Sequence, residues 1–388
     1  MDRNEKELED LANFHVGTVV AKYKVLELVD EGGFGRVYKV QHTVPGSKPE
    51  LAALKVESVN IDGGSAIKLE VDALRRIHKQ ATRSHVPALY GYAKRKNCCY
   101  MIVTLLGPSL RKVKKAHFSK GMGLSEAGKQ TWIRVAIQCL YALKTVHDSG
   151  FVHRDIKMEN FVLGHKDDLQ KARIVHILDF GLARQYAYMN EAGVFEARRA
   201  RSKCDFRGTY AFAAPSMHSG TEQGRKDDIW SLMFLYVDLY YGLPWLKQAD
   251  NEAMAKEKLK ITDDKLLAGM PSELAPIMKH LRSLGDNMYA RPDYTLVYNA
   301  LNTIMTNFKT DFFAPYPWED KEQAAKNAEA MKAGGCDYYN NLADFFKCDP
   351  IKINEAPKAK PRESSSNHIE DDDTKRPKKK ESDDAEKK

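Results

Sequence analysis

The sequence predicts an α+β protein with two lobes, a small β-rich lobe over residues 21–106 and a larger helical lobe over residues 107–308. Two features predict this class. Short apolar runs separated by glycine and proline turns fill the chain up to about Thr104. Beyond it, apolar residues recur at helical spacing. Strand-rich and helix-rich segments that follow one another are typical of α+β folds, and 388 residues with 43% hydrophobic side chains can bury a large core.

The β-rich lobe follows a charged leader, residues 1–20. Its predicted strands cover residues 23–29, 37–42, 51–56 and 100–106. One helix interrupts them at residues 66–78, because four apolar residues there share a helical face. These residues are Ile67, Val71, Leu74 and Ile77.

In the helical lobe, a long amphipathic helix is predicted over residues 126–147. Aromatic residues then crowd the extension at 309–350. They are Phe312, Phe313, Tyr316, Trp318, Tyr338, Tyr339, Phe345 and Phe346. Packing of these rings against the helical lobe is favoured over a partner-docking role. The last stretch, 351–388, has almost nothing apolar to bury, and this composition predicts a disordered charged tail.

Composition argues against several other classes of protein. The net charge is +8, but part of it lies in the tail, so direct nucleic-acid binding is not expected. The apolar run 229–246 contains Asp238, Gly242 and Pro244, which favours a buried core helix over a membrane span. Six cysteines without a C-x-x-C pair, and no signal peptide, indicate an intracellular protein with reduced thiols.

A glycine-rich turn joins the first two predicted strands. It reads Glu31-Gly32-Gly33-Phe34-Gly35-Arg36-Val37. Glycines allow backbone amides to approach nucleotide phosphates without Cβ clashes. Many tight hairpins are also rich in glycine, so this motif alone indicates a nucleotide site only weakly.

Lys55 ends the third predicted strand, in the sequence Ala52-Ala53-Leu54-Lys55. It is either a lysine that snorkels to the surface or a phosphate ligand. Glu70, on the following helix, is its candidate ion-pair partner. A Lys55–Glu70 pair would orient the ammonium toward the α- and β-phosphates of ATP.

The most specific motif is His153-Arg154-Asp155-Ile156-Lys157-Met158-Glu159-Asn160, which has the form H-R-D-x-x-x-x-N. Here Asp155 would accept the proton of an attacking hydroxyl, Lys157 would lie against the γ-phosphate, and Asn160 would bind Mg²⁺. A lone His-Arg-Asp is also compatible with a structural ion pair.

The second metal ligand is predicted in Asp179-Phe180-Gly181, which follows an apolar strand at 174–178. Asp179 would chelate a Mg²⁺ that bridges the phosphates. Phosphoryl transfer needs charge neutralisation and in-line positioning more than covalent help. Each motif occurs by chance elsewhere, but the complete set in this order predicts a site for ATP and Mg²⁺.

With these motifs, residues 20–308 resemble the eukaryotic protein kinases. The run Leu105-Leu106-Gly107-Pro108-Ser109-Leu110 resembles the hinge of the casein kinase 1 group. The resemblance implies that Val103 is the gatekeeper and that backbone groups of residues 104–106 meet adenine. The candidate ATP-binding residues are then Gly32, Gly33, Phe34, Gly35, Val37, Ala53, Lys55, Glu70, Val103, Thr104, Leu106 and Asp179.

Other segments carry the same resemblance. Ala213-Ala214-Pro215-Ser216 stands where most kinases have A-P-E, and it lacks the glutamate, as casein kinase 1 does. Runs 225–232 and 291–294 also look like that group, whereas 181–186 and 206–209 are closest to the tau-tubulin kinase branch. The resemblance implies a two-lobed protein kinase fold and Ser/Thr kinase activity on proteins or peptides.

Three departures from the group's pattern affect what the resemblance implies. Asp30 stands where the first glycine of the phosphate loop normally lies, and a modest effect on ATP binding is predicted. Ala211 replaces an arginine that helps hold a phosphate in the group's anion pocket, so weaker dependence on pre-phosphorylated substrates is predicted. Ala214 replaces the group's usual serine in the peptide platform.

The activation segment is basic. Its cations are Arg198, Arg199, Arg201, Lys203 and Arg207. They form either a solvated basic loop or a surface that attracts acidic or phosphorylated peptides.

An active Ser/Thr protein kinase is favoured over two alternatives. A pseudokinase scaffold would use the fold and tail only to bind partners, but every catalytic position is filled. A small-molecule kinase is disfavoured by the peptide-platform elements Gly208-Thr209 and Asp228-Ile229-Trp230. We expect a cytoplasmic monomer without membrane contact. The tail run 375–380 is either a nuclear-import signal or a plain solvated run of charge.

Overall fold

The computed structural model describes residues 13–32, 35–59, 64–80, 85–248, 250–333 and 341–357. The chain divides into two compact units. Among the described residues, 13–68 and 91–102 belong to the smaller unit, and 69–90 and 103–357 belong to the larger one. The sequence predicted one boundary near residue 106, whereas most of the first helix belongs to the larger unit. A change in composition marks where strands give way to helices, but it does not record which residues pack together.

A six-stranded sheet makes up most of the smaller unit. Its strands are β1 Val19–Val20, β2 Tyr23–Gly32, β3 Gly35–His42, β4 Leu51–Ser58, β5 Leu89–Lys94 and β6 Cys98–Thr104. They lie in the order β1-β2-β3-β4-β6-β5. Val25, Val40, Leu54 and Ile102 belong to one buried cluster. Burial of each such aliphatic side chain contributes about 1.5–3 kcal/mol, so this cluster stabilises the strands that carry the predicted phosphate loop.

The larger unit is mainly helical. Its helices are α1 Ile67–Gln80, α2 Leu110–His117, α3 Glu126–Asp148, α4 Arg225–Tyr240, α5 Asn251–Lys260, α6 Asp263–Leu266, α7 Ala275–Ser283, α8 Tyr294–Asn307, α9 Lys321–Ala333 and α10 Leu342–Lys347. Its strands are β7 Leu106–Ser109, β8 Phe151–Val152, β9 Phe161–Gly164, β10 Val175–Ile177, β11 Arg184–Gln185, β12 Ala187–Met189 and β13 Phe195–Ala197. These strands form three small sheets, β10-β9-β7, β11-β8 and β12-β13.

Helices α3 and α4 form the centre of the larger unit. The Trp132 indole donates to the Tyr236 carbonyl at 2.9 Å, and the Tyr236 hydroxyl donates to the Ala136 carbonyl at 2.7 Å. Every residue of α4 is buried, which confirms a core helix in the first part of the apolar run 229–246. Within the described part of the chain, no helix has the length and apolar character needed to cross a membrane.

The aromatic extension packs on the larger unit, as predicted for the rings that are described. Three of them are buried: Phe312, Tyr316 and Phe346. Phe346 stacks on Tyr298 with ring centroids 4.7 Å apart, and Phe345 stacks on Tyr141 at 4.1 Å. Residues 338–339 lie outside the described residues.

The packed chain continues past residue 350, where the predicted tail begins. Ile351 is 5% exposed and lies in an apolar cluster with Tyr186. The Arg225 guanidinium donates to the Ile353 carbonyl. Two isoleucines in a charged stretch were too weak a sequence signal to reveal this packing. The rest of the predicted tail, 358–388, lies outside the described residues.

Candidate active site

The predicted catalytic loop, residues 153–160, connects β8 to β9. Strands β9 and β10 pair antiparallel, and the Leu178 N–H donates to the Asn160 carbonyl at 2.8 Å. This pairing holds the end of the catalytic loop beside the residue that precedes Asp179.

Asp155 lies at the centre of this loop and is 3% exposed. Its carboxylate is held on both oxygens, because Thr209 Oγ1 donates to Oδ1 at 2.8 Å and Lys157 Nζ donates to Oδ2 at 2.7 Å. Asn160 Nδ2 donates to the Asp155 carbonyl oxygen at 2.8 Å. The structure therefore brings three predicted residues together and adds the Thr209 hydroxyl, which the sequence had indicated only as part of a peptide platform.

Gly208 allows Thr209 to reach the catalytic loop. Its φ is +98°, and a Cβ at this position would lie 2.5 Å from the Arg154 carbonyl oxygen. A side chain here would be strained by backbone conformation and by contact, so the close approach requires glycine.

Asp228, at the start of α4, anchors the backbone of the catalytic loop. Its carboxylate accepts the His153 N–H at 2.6 Å and the Arg154 N–H at 2.8 Å, and His147 Nε2 lies 2.9 Å away. These contacts hold Arg154 at a φ of +67°, a conformation that is costly for a non-glycine residue. Burial by itself would raise the pKa of Asp228, but His147 and His153 outweigh it and hold that pKa below its ordinary value. Sequence spacing did not reveal this anchoring role.

The Asp179-Phe180-Gly181 motif is held on its Phe180 side. Phe180 is 1% exposed, and its ring centroid lies 5.3 Å from that of His153. His153 Nε2 lies 2.9 Å from the Leu178 carbonyl. Asp179 itself is half-buried and left-handed, with a φ of +63°.

The donor chemistry of Asn160 and Asp179 fits a magnesium ion. Because Asn160 Nδ2 is bound to Asp155, the amide oxygen Oδ1 is the atom suited to a metal. An amide oxygen and a carboxylate are hard oxygen ligands, the type that Mg²⁺ prefers.

Glu222 draws three arginines together. It accepts from Arg201 Nε at 2.7 Å, and Arg184 Nε and Arg154 Nη1 lie 3.5 Å and 4.0 Å from it. Burial by itself would raise the pKa of Glu222, but these arginines outweigh it and lower that pKa. Arg201 was predicted as a cation of the activation segment. In the structure its guanidinium donates to the buried carboxylate of Glu222.

The loop at 209–214 rests on two buried side chains. Lys258 is 4% exposed and donates to the carbonyls of Tyr210 and Ala213, the latter at 2.9 Å. The Trp245 indole donates to the Ala211 carbonyl at 2.8 Å. The loop that contains Ala211 is therefore supported by Lys258, a buried residue that the sequence did not indicate.

The smaller unit carries the predicted phosphate loop between β2 and β3. Gly35 is required there, because a Cβ would lie 2.0 Å from the Val56 carbonyl oxygen. Asp30 is exposed and its carboxylate accepts the Glu31 N–H at 3.1 Å, so it lies at the outer edge of the loop. Gly32 is also exposed. The predicted contacts at residues 33–34 lie outside the described residues.

Lys55 lies on β4, opposite Val37 of β3. Its Nζ is 3.3 Å from Oε1 of Glu57, a buried carboxylate that the sequence analysis did not identify. Ala53 is buried two residues earlier. Glu70 is buried in the part of α1 that belongs to the larger unit, and the Lys55–Glu70 pair stays a prediction.

Thr104 ties the predicted hinge to Ala88 by two hydrogen bonds. Its N–H donates to the Ala88 carbonyl at 3.0 Å, and its hydroxyl accepts the Ala88 N–H at 2.9 Å. Val103, the predicted gatekeeper, is 8% exposed, and Leu106 begins β7 opposite Gly164. Because the Thr104 N–H is already bonded, the predicted adenine contacts would have to come from the other backbone groups of this segment.

Similarity to known proteins identifies the family of this chain. Residues 23–293 match the model of the protein kinase domain. A Caenorhabditis elegans protein named inactive tau-tubulin kinase ttbk-6 is 35% identical over 292 residues, which cover 74% of this chain and 97% of that protein. A second protein of that species, named as a serine/threonine-protein kinase, is 35% identical over 346 residues, 87% of this chain and 96% of its own.

A third protein from C. elegans, named as a casein kinase I, is 26% identical over 315 residues, 79% of this chain and 86% of its own. The kinase domain match covers more than half of the chain, and the named relatives agree with the hinge and platform motifs. The chain therefore belongs to the protein kinase family, on its casein kinase 1 and tau-tubulin kinase branch.

Proposed function

We propose that this protein is an active Ser/Thr kinase that transfers the γ-phosphoryl group of ATP to serine or threonine hydroxyls of protein substrates. The observation that carries the proposal is the Asp155 carboxylate, held between the Thr209 hydroxyl and the Lys157 ammonium. A base fixed on both oxygens has a defined direction from which to accept the proton of a substrate hydroxyl.

Each residue of the site has a distinct role in this proposal. Bound Mg²⁺–ATP supplies the phosphoryl group and part of the charge neutralisation. Asn160 and Asp179 would hold the metal, and Lys157 would neutralise the transferred group. The resemblance to protein kinases assigns the phosphates to Lys55 and to the amides around Gly35, which belong to the smaller unit. These contributions are positioning and electrostatic, as phosphoryl transfer requires. Lys157 together with Asn160 favours serine and threonine over tyrosine acceptors.

The activation segment has a built-in counter-charge. Glu222 pairs with Arg154 of the catalytic loop, Arg184 of β11 and Arg201. A buried carboxylate among three guanidiniums supplies the negative charge that a phosphate would otherwise bring to such a cluster. This arrangement supports activity without phosphorylation of the activation segment.

The alternative is a pseudokinase scaffold, and the relative named inactive tau-tubulin kinase keeps it open. Asp155, Lys157 and Asn160 are all present in this chain and in contact. A scaffold would have no need of a base held on both carboxylate oxygens, so we favour catalysis.

The substrate preference follows from charge. We propose acidic substrates with little dependence on a priming phosphate. Ala211 has no guanidinium to bind a phosphate, and Lys258, the buried lysine beneath this loop, donates to backbone carbonyls. Two residues could replace the missing arginine. Arg207 has an interaction partner of its own, and Lys256 is exposed and pairs with Glu252 at 2.6 Å. A cytoplasmic location and a monomeric state remain predictions.

A peptide-array phosphorylation screen with the purified chain tests the proposal. We expect phosphate on serine and threonine peptides and none on tyrosine peptides. Asp155→Asn should lower transfer by about 10²–10⁴-fold, because the base is lost. Asp264→Asn is the matched control, since Asp264 is exposed on α6, and it should keep the wild-type rate. Near-normal transfer by Asp155→Asn would refute the assigned role of Asp155.

A further inference from the structure

Helix α2 presents a basic surface of unusual composition. It has no acidic residue, and Arg111, Lys112 and Lys115 are exposed. We call these three residues the α2 cations. They lie on one side of the helix, because Leu110 and Val113 are buried on the other.

The helix is held firmly in place. The Ser109 hydroxyl caps its first turn by accepting the Lys112 N–H at 3.3 Å. Lys114 Nζ lies 2.9 Å from Asp238 Oδ1, and Asp238 is buried in α4. A fixed helix fixes the directions in which its exposed cations project, so they can act as a specific surface rather than as a diffuse charge.

One of the α2 cations touches the catalytic loop. Arg111 Nε donates to Glu159 Oε1 at 2.8 Å, and the two side chains are 44% and 43% exposed. Glu159 stands between Lys157 and Asn160 in the sequence. Its carboxylate would attract a basic substrate residue if it were unpaired, and Arg111 neutralises it.

The activation segment supplies fewer available cations than its sequence indicates. Arg201 is bound to Glu222, and Arg198 and Arg207 have interaction partners of their own. Arg199 and Lys203 remain exposed. The α2 cations are therefore a second set of exposed positive charges in the larger unit.

We propose that the α2 cations bind acidic residues of the protein substrate, and that Arg111 is a specificity-determining residue that masks Glu159. This proposal rests on the proposed kinase function. It adds the surface that would bind the acidic residues of the substrate. An acidic segment on either side of the acceptor hydroxyl would meet Lys112 and Lys115, while a basic segment would be repelled.

The expected effects are moderate and depend on salt. Exposed ion pairs are weak, so each lysine contributes about two- to fivefold in affinity at low ionic strength. Added salt shortens the screening length to about 8 Å at 0.15 M and reduces the effect.

The test compares kcat/KM for three matched peptides whose residues flanking the acceptor serine are Asp, Ala or Arg. The variant is Lys112→Glu with Lys115→Glu. The control is Lys279→Glu with Lys347→Glu, two exposed lysines on α7 and α10. We expect the variant to lose about tenfold on the Asp peptide and less than twofold on the Ala peptide, with no change in the control.

Arg111→Gln tests the masking of Glu159. We expect it to raise kcat/KM on the Arg peptide by about three- to fivefold, because Glu159 loses its partner. Adding Glu159→Gln should cancel that gain. An unchanged ratio between Asp and Ala peptides in the Lys112 and Lys115 variant would overturn the proposal, as would an Arg111→Gln chain with no gain on the Arg peptide.

Binding of fluorescent Asp and Ala peptides, measured by anisotropy with the same variants, separates the two proposals. If the wild type transfers no phosphate to any peptide, the kinase function fails. The α2 surface is then still tested, because its loss must weaken binding of the Asp peptide. Equal binding by wild type and the lysine variant would refute it.

Discussion

Lys258 is a buried ammonium beneath the substrate-binding loop. It donates to the carbonyls of Tyr210 and Ala213 and lies 5.5 Å from the ring centroids of Phe234 and Trp245. Burial lowers the pKa of Lys258 from 10.5 to about 7. The neutral amine can still donate to both carbonyls, so the loop keeps its support above that pH.

The lowered pKa predicts a pH dependence of stability with a definite sign. Between pH 7 and pH 10 the unfolded chain carries a proton on this lysine that the folded chain lacks, so the free energy of unfolding rises with pH. The contribution has a slope of up to about 1.4 kcal/mol per pH unit and is flat below pH 7. Urea unfolding of the wild type and Lys258→Met across this range measures the difference.

A matched variant in the same helix provides the control for this titration. Lys260 is exposed at the end of α5, and Lys260→Met should leave the pH dependence of unfolding unchanged. A wild-type curve parallel to that of Lys258→Met between pH 7 and pH 10 would show that Lys258 titrates normally.

At the scale of elements, α10 and the residues after it tie the C-terminal part of the chain to the larger unit. Phe346 of α10 is fully buried. Arg291 Nε lies 3.4 Å from Asp349 Oδ2, and Arg225 Nη2 donates to Asn354 Oδ1 at 3.1 Å. The same part of the chain brings Ile351 into the cluster that contains Tyr186, the residue before β12. We therefore expect this segment to stabilise the start of the activation segment.

Phe346→Ala should lower the free energy of unfolding by about 3–5 kcal/mol, because it removes a fully buried ring and leaves a cavity. Chemical denaturation measures this loss. Lys347→Ala, at an exposed position in the same helix, should change stability by less than about 0.5 kcal/mol. A loss below about 1 kcal/mol for Phe346→Ala would contradict the packing of α10 described above. A chain ending at Pro357 should keep the wild-type stability, since it retains these contacts.

At the scale of the whole molecule, the fold class and the catalytic loop were predictable from sequence, but several supports of the loop were not. Asp155, Lys157 and Asn160 lie in one short motif whose spacing already fixes their proximity. Thr209 is 54 residues from Asp155 in the chain, and Asp228 is 74 residues from Arg154. Proximity across such distances depends on tertiary packing, which periodicity does not record.

The missed elements have a physical explanation as well. Strand β1 has only two residues, too few for a periodic signal. Strand β5 is half-exposed along its length and contains a glycine, so it resembles a loop in composition. Lys258 lies in a helix rich in charged residues, and the loop carbonyls that it contacts are more than 40 residues away in the chain, so the sequence gives no sign of its burial. Sequence patterns identify the residues predicted to take part in catalysis. The structure identifies the residues that hold them in position.

Turnover by the 388-residue wild-type chain is the decisive test of kinase activity. The measurement follows ADP and phosphopeptide together, with Mg²⁺–ATP and an acidic serine peptide in large excess over the enzyme. We expect many phosphopeptides per chain, equal in number to the ADP formed, and loss of both products on addition of EDTA or in Asp155→Asn. A folded wild-type chain that yields no more phosphopeptide than Asp155→Asn would contradict the account and favour the pseudokinase alternative.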